Sequence, residues 1–155
     1  MTRQRKLRLM IVAVLAAAIA AAAIAGLFDR SSGGADPRDA GQVALGRDLY
    51  ARHCMSCHGR DLEGERDWRI PKASGRLPAP PHDETGHTWH HSDRQLFVLT
   101  KIGPRAFAGA TYATDMPGFA DTMSDAQIWA VLAYIKSQWP ARILAYQEEI
   151  NARER

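Results

Sequence analysis

Two thiols separated by two residues and followed at once by an imidazole, Cys54-Met55-Ser56-Cys57-His58, constrain this chain more than any other stretch of it. The spacing is that of c-type haem attachment. Each thiol adds across one vinyl group of the porphyrin, and His58 is then carried under the iron, where a ring nitrogen can serve as the proximal ligand. The fold to expect is therefore one wrapped around a covalently held haem. Two other uses of a C-x-x-C pair compete with this one. Zinc would need further ligands, and these are the only cysteines in the chain. A redox dithiol of the thioredoxin kind would follow a strand in a βαβ pattern, whereas "VALGRDLYARH" ahead of the motif reads as helix.

A length of 155 residues supports one domain plus appendages. The formal charge of +3 says little about the folded part, because four of the 20 basic residues, Arg3, Arg5, Lys6 and Arg8, precede an apolar run. The other 16 basic residues face 17 acidic ones, and no cluster of Lys and Arg with interleaved aromatics marks a nucleic-acid surface. Nucleic acid is not expected as a partner.

Residues 9–28, "LMIVAVLAAAIAAAAIAGLF", are twenty residues without a charge, and Asp29 and Arg30 follow them. At 1.5 Å rise per residue a helix of about 20 residues just spans a hydrocarbon core of about 30 Å, and the basic start places the N-terminus inside. The body is expected outside the cytoplasmic membrane, in the periplasm. Ala23-Ile24-Ala25 offers an A-x-A-like cleavage site, but the run exceeds the usual apolar length of a signal peptide. We read it as a retained single-pass anchor, with a cleaved, soluble periplasmic form as the alternative. "DRSSGGADPRDAG" cannot bury enough apolar surface to order itself and reads as a tether. The expected organisation is a membrane segment at 1–28, a tether at 29–40, a domain at 41–140 and a helical extension at 141–155.

Helical patterning opens and closes the domain. Val43, Leu45, Leu49 and Tyr50 can share one broad apolar face leading into the cysteine motif. Ser124 and Gln127 form a capping-box pattern, with Met123 and Ile128 at the staple positions, and Ile128, Val131, Leu132 and Ile135 lie on one stripe before Pro140. A third helix is expected over "SDRQLFVLTKIG", capped by Ser92 or Asp93 and stopped at Gly103-Pro104. From Gly59 to His91 the chain is dense in Gly and Pro and shows no strand alternation. In the tail Ile143, Leu144 and Ile150 make an amphipathic helix whose default partner is its own domain. The fold class is mainly α.

With these features in view, residues 41–140 resemble a class I monohaem cytochrome c. The attachment motif lies near the domain's start. "DMPGF" matches the family's distal Met-Pro segment, and Gly46 and Tyr50 match the small and aromatic pair on its first helix. In the family that helix crosses the last one, here near Val131 and Tyr134. The resemblance implies the cytochrome c fold, Met116 as sixth ligand, and a proline carbonyl, Pro80 or Pro81 of "LPAPP", accepting from the other ring nitrogen of His58. Trp89 resembles a haem-pocket aromatic that bonds a propionate, although plain packing explains it equally well. Among the other methionines, Met1 and Met10 lie in the membrane segment, Met55 is too close to His58 to reach the opposite face, and Met123 fits the staple.

"HDETGHTWHH" departs from a minimal member of that family. His82, His87, His90 and His91, with Asp83 and Glu84, offer donors that suit copper, zinc or nickel. Histidines that cap, bond propionates or face solvent are the simpler account, and a second imidazole on the iron remains open. No nucleophile with a base and no phosphate loop is present: "SSGGAD" lacks the following Lys-Ser/Thr, and Ser124 is better explained as a cap.

The expectation is a one-electron carrier rather than an enzyme. Its haem c would be bound by Cys54 and Cys57 and ligated by His58 and Met116, exchanging electrons with redox protein partners. Two alternatives stand beside it: an accessory haem subunit of an oxidase or oxidoreductase complex, and a haem sensor or peroxidase-like enzyme with a labile sixth ligand. The sequence names neither donor nor acceptor.

Overall fold

The first described helix begins where the tether's last acidic residue caps it. The computed structural model describes residues 33–109 and 111–154, so the expected membrane segment at 1–28 and the start of the tether lie outside the described residues. Asp39 is extended, and its carboxylate accepts from the backbone N–H groups of Gly41 and Gln42 at 2.9 and 3.0 Å, which starts α1 (Ala40–His53). The buried stripe of α1 is Gly46, Leu49 and Tyr50, with Val43 packed at the core's edge. Leu45 does not join it and stays 43% exposed. The reason is helical geometry: Gly46 stands three and four positions before Leu49 and Tyr50, and a residue one step earlier is rotated about 100° off that face. Cys54 then breaks the helix, and a single turn, α2 (Met55–His58), follows it.

At the other end of the domain, the capping box forms as expected. Ser124 Oγ accepts from the Gln127 backbone N–H and Gln127 Oε1 accepts from the Ser124 N–H, opening the helix Asp125–Ser137. Between it and α2 come α3 (Asp93–Ile102) and a single turn, α4 (Arg105–Ala108), so the capped helix is α5. Ile128, Val131, Leu132 and Ile135 are all buried on it, together with Met123 just before its cap. Burial of such side chains is worth about 1.5–3 kcal/mol each.

α1 and α5 make the main helix–helix contact of the domain, and Gly46 sets its closeness. A Cβ added there would meet the Ala130 carbonyl oxygen at 1.9 Å and Tyr134 Cβ at 2.9 Å, so backbone lies on backbone. The expected crossing near Val131 and Tyr134 is thus centred on Ala130 and Tyr134. Beside it, the rings of Tyr50 and Tyr134 lie 5.3 Å apart and fill the space the glycine leaves.

Ser92, rather than Asp93, caps α3, and its hydroxyl accepts from the Gln95 N–H at 3.1 Å. Gly103, at φ +83°, ends it. The turn α4 was not foreseeable, since four residues carry no helical period. No helix among the described residues is long and apolar enough to cross a membrane, and no strand occurs among them.

The tail forms α6 (Ala141–Arg153), started by Pro140. It packs against its own domain: Ile143 is buried, and Gln147 is completely so. Gln147 Nε2 donates to Asp93 Oδ1 at 2.7 Å, and the same carboxylate receives Lys136 Nζ at 2.7 and 2.8 Å. That node joins α3, α5 and α6. Arg142 pairs with Glu84, Asn151 accepts from the Asp93 backbone N–H, and the Ser92 hydroxyl donates to Glu154. From Gly34 onward the described residues form one compact unit.

Candidate functional site

The break at Cys54 brings both thiols and His58 onto one turn. Backbone bonds from Cys57 N and His58 N to the Cys54 carbonyl, at 3.1 and 2.9 Å, hold that turn. Cys54 is half-buried and Cys57 exposed, and both are free thiols. Burial and the neighbouring Cys57 push the Cys54 thiol up to about 12. A redox dithiol of the thioredoxin kind would follow a strand, and here the motif follows a helix, α1.

His58 is buried at 7% exposure. Burial lowers its pKa below the ordinary imidazole range, against the opposing pull of the Pro80 carbonyl and Glu65. The ring is therefore neutral at neutral pH and able to ligate. Its Nδ1 lies 2.9 Å from the Pro80 carbonyl oxygen, which fixes the proton on Nδ1 and leaves Nε2 as the free donor atom. Of the two candidate prolines, Pro80 makes this bond.

The proline pair is held between two glycines. A Cβ on Gly64, whose φ is +67°, would meet Pro81 N at 2.5 Å, and one on Gly86 would meet the Pro81 carbonyl oxygen at 2.0 Å. Glu65 steadies the same segment. Its carboxylate accepts from Ala79 N at 2.6 Å and from Lys72 at 2.9 Å, and these bonds hold its pKa below the usual carboxylate value.

Next along the segment comes His82, whose ring stacks on that of His58 with centroids 4.0 Å apart and planes 21° apart. Burial, with His58 and His87 nearby, drives its pKa well below the ordinary range. The sequence marked His82 only as one donor of a histidine-rich loop. Among the described residues no group of three or more His, Cys, Asp or Glu side chains is placed to hold a metal ion. The reading of this loop as a second metal site is therefore not supported, and the physical reason is that each histidine has a different partner. His87 stacks on Trp68 at 5.2 Å, His90 on Trp89 at 3.8 Å, and His91 Nδ1 lies 3.3 Å from Gln95 Oε1.

Met116 comes from a separate loop, half-buried at the edge of the core beside a cleft lined by Ile102, Arg105, Thr114 and Asp115. That loop is strapped to the end of α3. Phe119 N donates to the Thr100 and Lys101 carbonyls at 3.1 and 3.0 Å, and Gly118 runs so close that a Cβ would lie 2.8 Å from the Ile102 carbonyl carbon. Phe119 also meets the His53 ring edge-on at 6.1 Å, which makes the loop a neighbour of the helix leading into the cysteine motif. Met123 is buried, in keeping with its staple position.

The residues present fit a haem. Two thiols immediately precede an imidazole with one nitrogen tied and one free, and a thioether lies on a neighbouring loop. The buried Nε1 of Trp89 has no hydrogen-bond partner among the described residues. A buried indole N–H normally finds an acceptor, and a carboxylate of the cofactor is one.

Neither a search of curated proteins nor one of solved structures returns a match. The family model described as Cytochrome c does match, over residues 43–139, from the first turn of α1 to just past α5. Because that match spans well over half of the chain and contains the C-x-x-C-H motif, the chain belongs to the cytochrome c family, with covalently bound haem c as its cofactor and haem-based electron transfer as its chemistry.

Proposed function

We propose that the chain is a class I carrier of single electrons, in which Cys54 and Cys57 form the thioether bonds and His58 and Met116 are the axial ligands. The observation that carries this reading is the buried His58 beside both thiols, with Nδ1 bonded to Pro80 at 2.9 Å. When bound, the haem iron supplies a reversible one-electron couple. The residues around it do the rest. Pro80 fixes the tautomer and raises the basicity of the His58 ring. Met116 contributes a thioether, which favours the reduced state relative to a second imidazole, as is general for this ligand pair. Were His58 and Met116 both to hold the iron, O₂ or peroxide would find no open position there, which would separate a carrier from a sensor or peroxidase.

The charge-free run at 9–28 behind four basic residues supports placement of the domain in the periplasm, held to the cytoplasmic membrane by a retained anchor. The tether raises the effective concentration of neighbouring redox partners, so each can bind weakly and leave quickly. Carbonate extraction and N-terminal sequencing test the anchor: a soluble form starting near Gly26 would mean cleavage.

The ligand reading is tested on the purified haem protein. Denaturing electrophoresis should retain haem on the wild-type chain and lose it in Cys54→Ala/Cys57→Ala. The oxidised protein should show a weak near-infrared band from sulfur ligation, absent in Met116→Ala and present in Met123→Leu. A band that survives Met116→Ala would refute the sixth-ligand assignment, and acid-acetone extraction of intact haem from the wild type would refute attachment.

A further inference from the structure

A hydrogen bond to a carbonyl oxygen tolerates a broad range of angles. The bond from His58 Nδ1 to Pro80 therefore chooses a tautomer but leaves the ring considerable freedom to turn about it. The same short segment supplies a second hold. Two residues beyond Pro80, the His82 ring lies flat against the face of His58 at 4.0 Å.

His82 is itself fixed at several points. Its backbone N–H donates to the Leu62 carbonyl at 2.7 Å, and its own carbonyl accepts from Trp139 Nε1 at 2.7 Å. Its Nδ1 lies 2.8 Å from Thr88 Oγ1, and that hydroxyl lies 3.4 Å from the Pro81 carbonyl. One arrangement satisfies both contacts: Nδ1–H donates to Thr88, and Thr88 donates to Pro81. The Tyr50 ring meets His82 edge-on at 6.5 Å. An imidazole in the core is a costly choice where an aliphatic side chain would fill the space, and its one ring bond, to Thr88, sets the direction in which its face points.

We propose that His82 is a positioning residue for the axial ligand: stacked on His58 and clamped through Thr88, it fixes the plane in which the His58 ring meets the iron and lays an aromatic face against it. The proposal rests on His58 being that ligand. Oxidation of the iron places more positive charge on the His58 ring, and the negative face of a neighbouring aromatic stabilises positive charge. His82 thus favours the oxidised state through His58 while limiting the ring's rotation.

The test uses the purified haem protein with His82→Leu, His82→Phe and Thr88→Val. Proton NMR of the oxidised form reads the ligand plane from the order and spread of the haem methyl resonances, and redox titration reads the potential. His82→Leu should change the methyl pattern and raise the potential. His82→Phe, which restores an aromatic face, should return both most of the way to wild type. Thr88→Val, which removes the clamp and keeps the stack, should move both in the same direction as His82→Leu by a smaller amount, and it carries the test if His82→Leu does not fold. An unchanged methyl pattern and potential in His82→Leu alongside a lowered denaturation midpoint would overturn the proposal and leave His82 as packing. So would a His82→Phe protein indistinguishable from His82→Leu. Absence of hyperfine-shifted His58 ring protons in the wild type would instead overturn the ligand reading on which the proposal stands.

Discussion

Replacing Gly46 with alanine adds one methyl group and should loosen the domain's principal helix crossing. The new Cβ would lie 1.9 Å from the Ala130 carbonyl oxygen and 2.5 Å from its carbon. Ordinary contact needs roughly 3.5 Å, so α1 and α5 must separate by about 1.5 Å. Both obstructing atoms belong to backbone in mid-helix and cannot step aside as a flexible side chain would. Overpacking costs about 1–3 kcal/mol, and a rigid obstacle belongs at the upper end. The better helix propensity of alanine returns about 1 kcal/mol. The net loss should be about 2 kcal/mol, which for a domain of this size lowers Tm by about 8 °C. Gly41→Ala is the internal control, since its Cβ would meet only the Asp39 carboxylate oxygen at 3.3 Å. That variant should be stabilised by about 0.5 kcal/mol. Thermal unfolding of the haem protein, followed by far-ultraviolet circular dichroism, compares the two. Equal stabilities for Gly46→Ala and Gly41→Ala would refute the close-crossing argument.

Asp93→Ala strands Lys136, whose side chain is only 5% exposed, and should cost about 3 kcal/mol in denaturant unfolding; Asp93→Leu with Lys136→Met should cost less than either single change, because no charge is left alone. Glu65 has a folded pKa below its unfolded one, so its contribution is present above the unfolded value of 4.5 and is lost as pH falls through the lower folded value. Glu65→Gln should accordingly flatten the acid limb of a stability–pH curve measured by urea midpoints, and an unchanged limb would mean that the bonds to Ala79 and Lys72 contribute nothing. Trp89→Phe removes the unpartnered donor together with part of the indole, so its loss in the haem protein should exceed the roughly 1 kcal/mol that trimming the ring costs by itself; a loss no larger than that would show that Nε1 has no acceptor there.

What the sequence revealed depended on how local the cause was. The capping box at Ser124, the buried stripe from Ile128 to Ile135 and the C-x-x-C-H spacing are set by residues within a turn or two of one another, so they can be read directly. Gly46 and Tyr50 were legible through their register with Cys54. The choice of Pro80 over Pro81 was not, because it depends on the path of a loop that passes through Leu62 at φ +69° and Asp67 at φ +56°. Leucine rarely takes a left-handed backbone, and aspartate, although it does so more often than most residues, sits in that region only a small part of the time. The same path brings His82 onto His58, a contact invisible in a run of histidines that reads equally well as metal donors. Gln147, fully buried at the Asp93–Lys136 node, was hidden for a related reason: a polar residue on an amphipathic tail signals solvent until its partners on two other helices are known.

The bond from Trp139 to the His82 carbonyl spans 57 residues, and it bears on the order of assembly. Contacts of such long separation close late, after local helices have formed. The segment that bonds His58 through Pro80 is therefore expected to take its final shape only when Trp139, just past α5, has docked. Until then that bond does not hold the loop from Gly59 to His91 against the end of the domain. Cys54 is half-buried in the finished domain, so its sulfur is easier to reach before the domain closes. Thioether formation is therefore expected to precede the docking of Trp139, which would close the domain behind it.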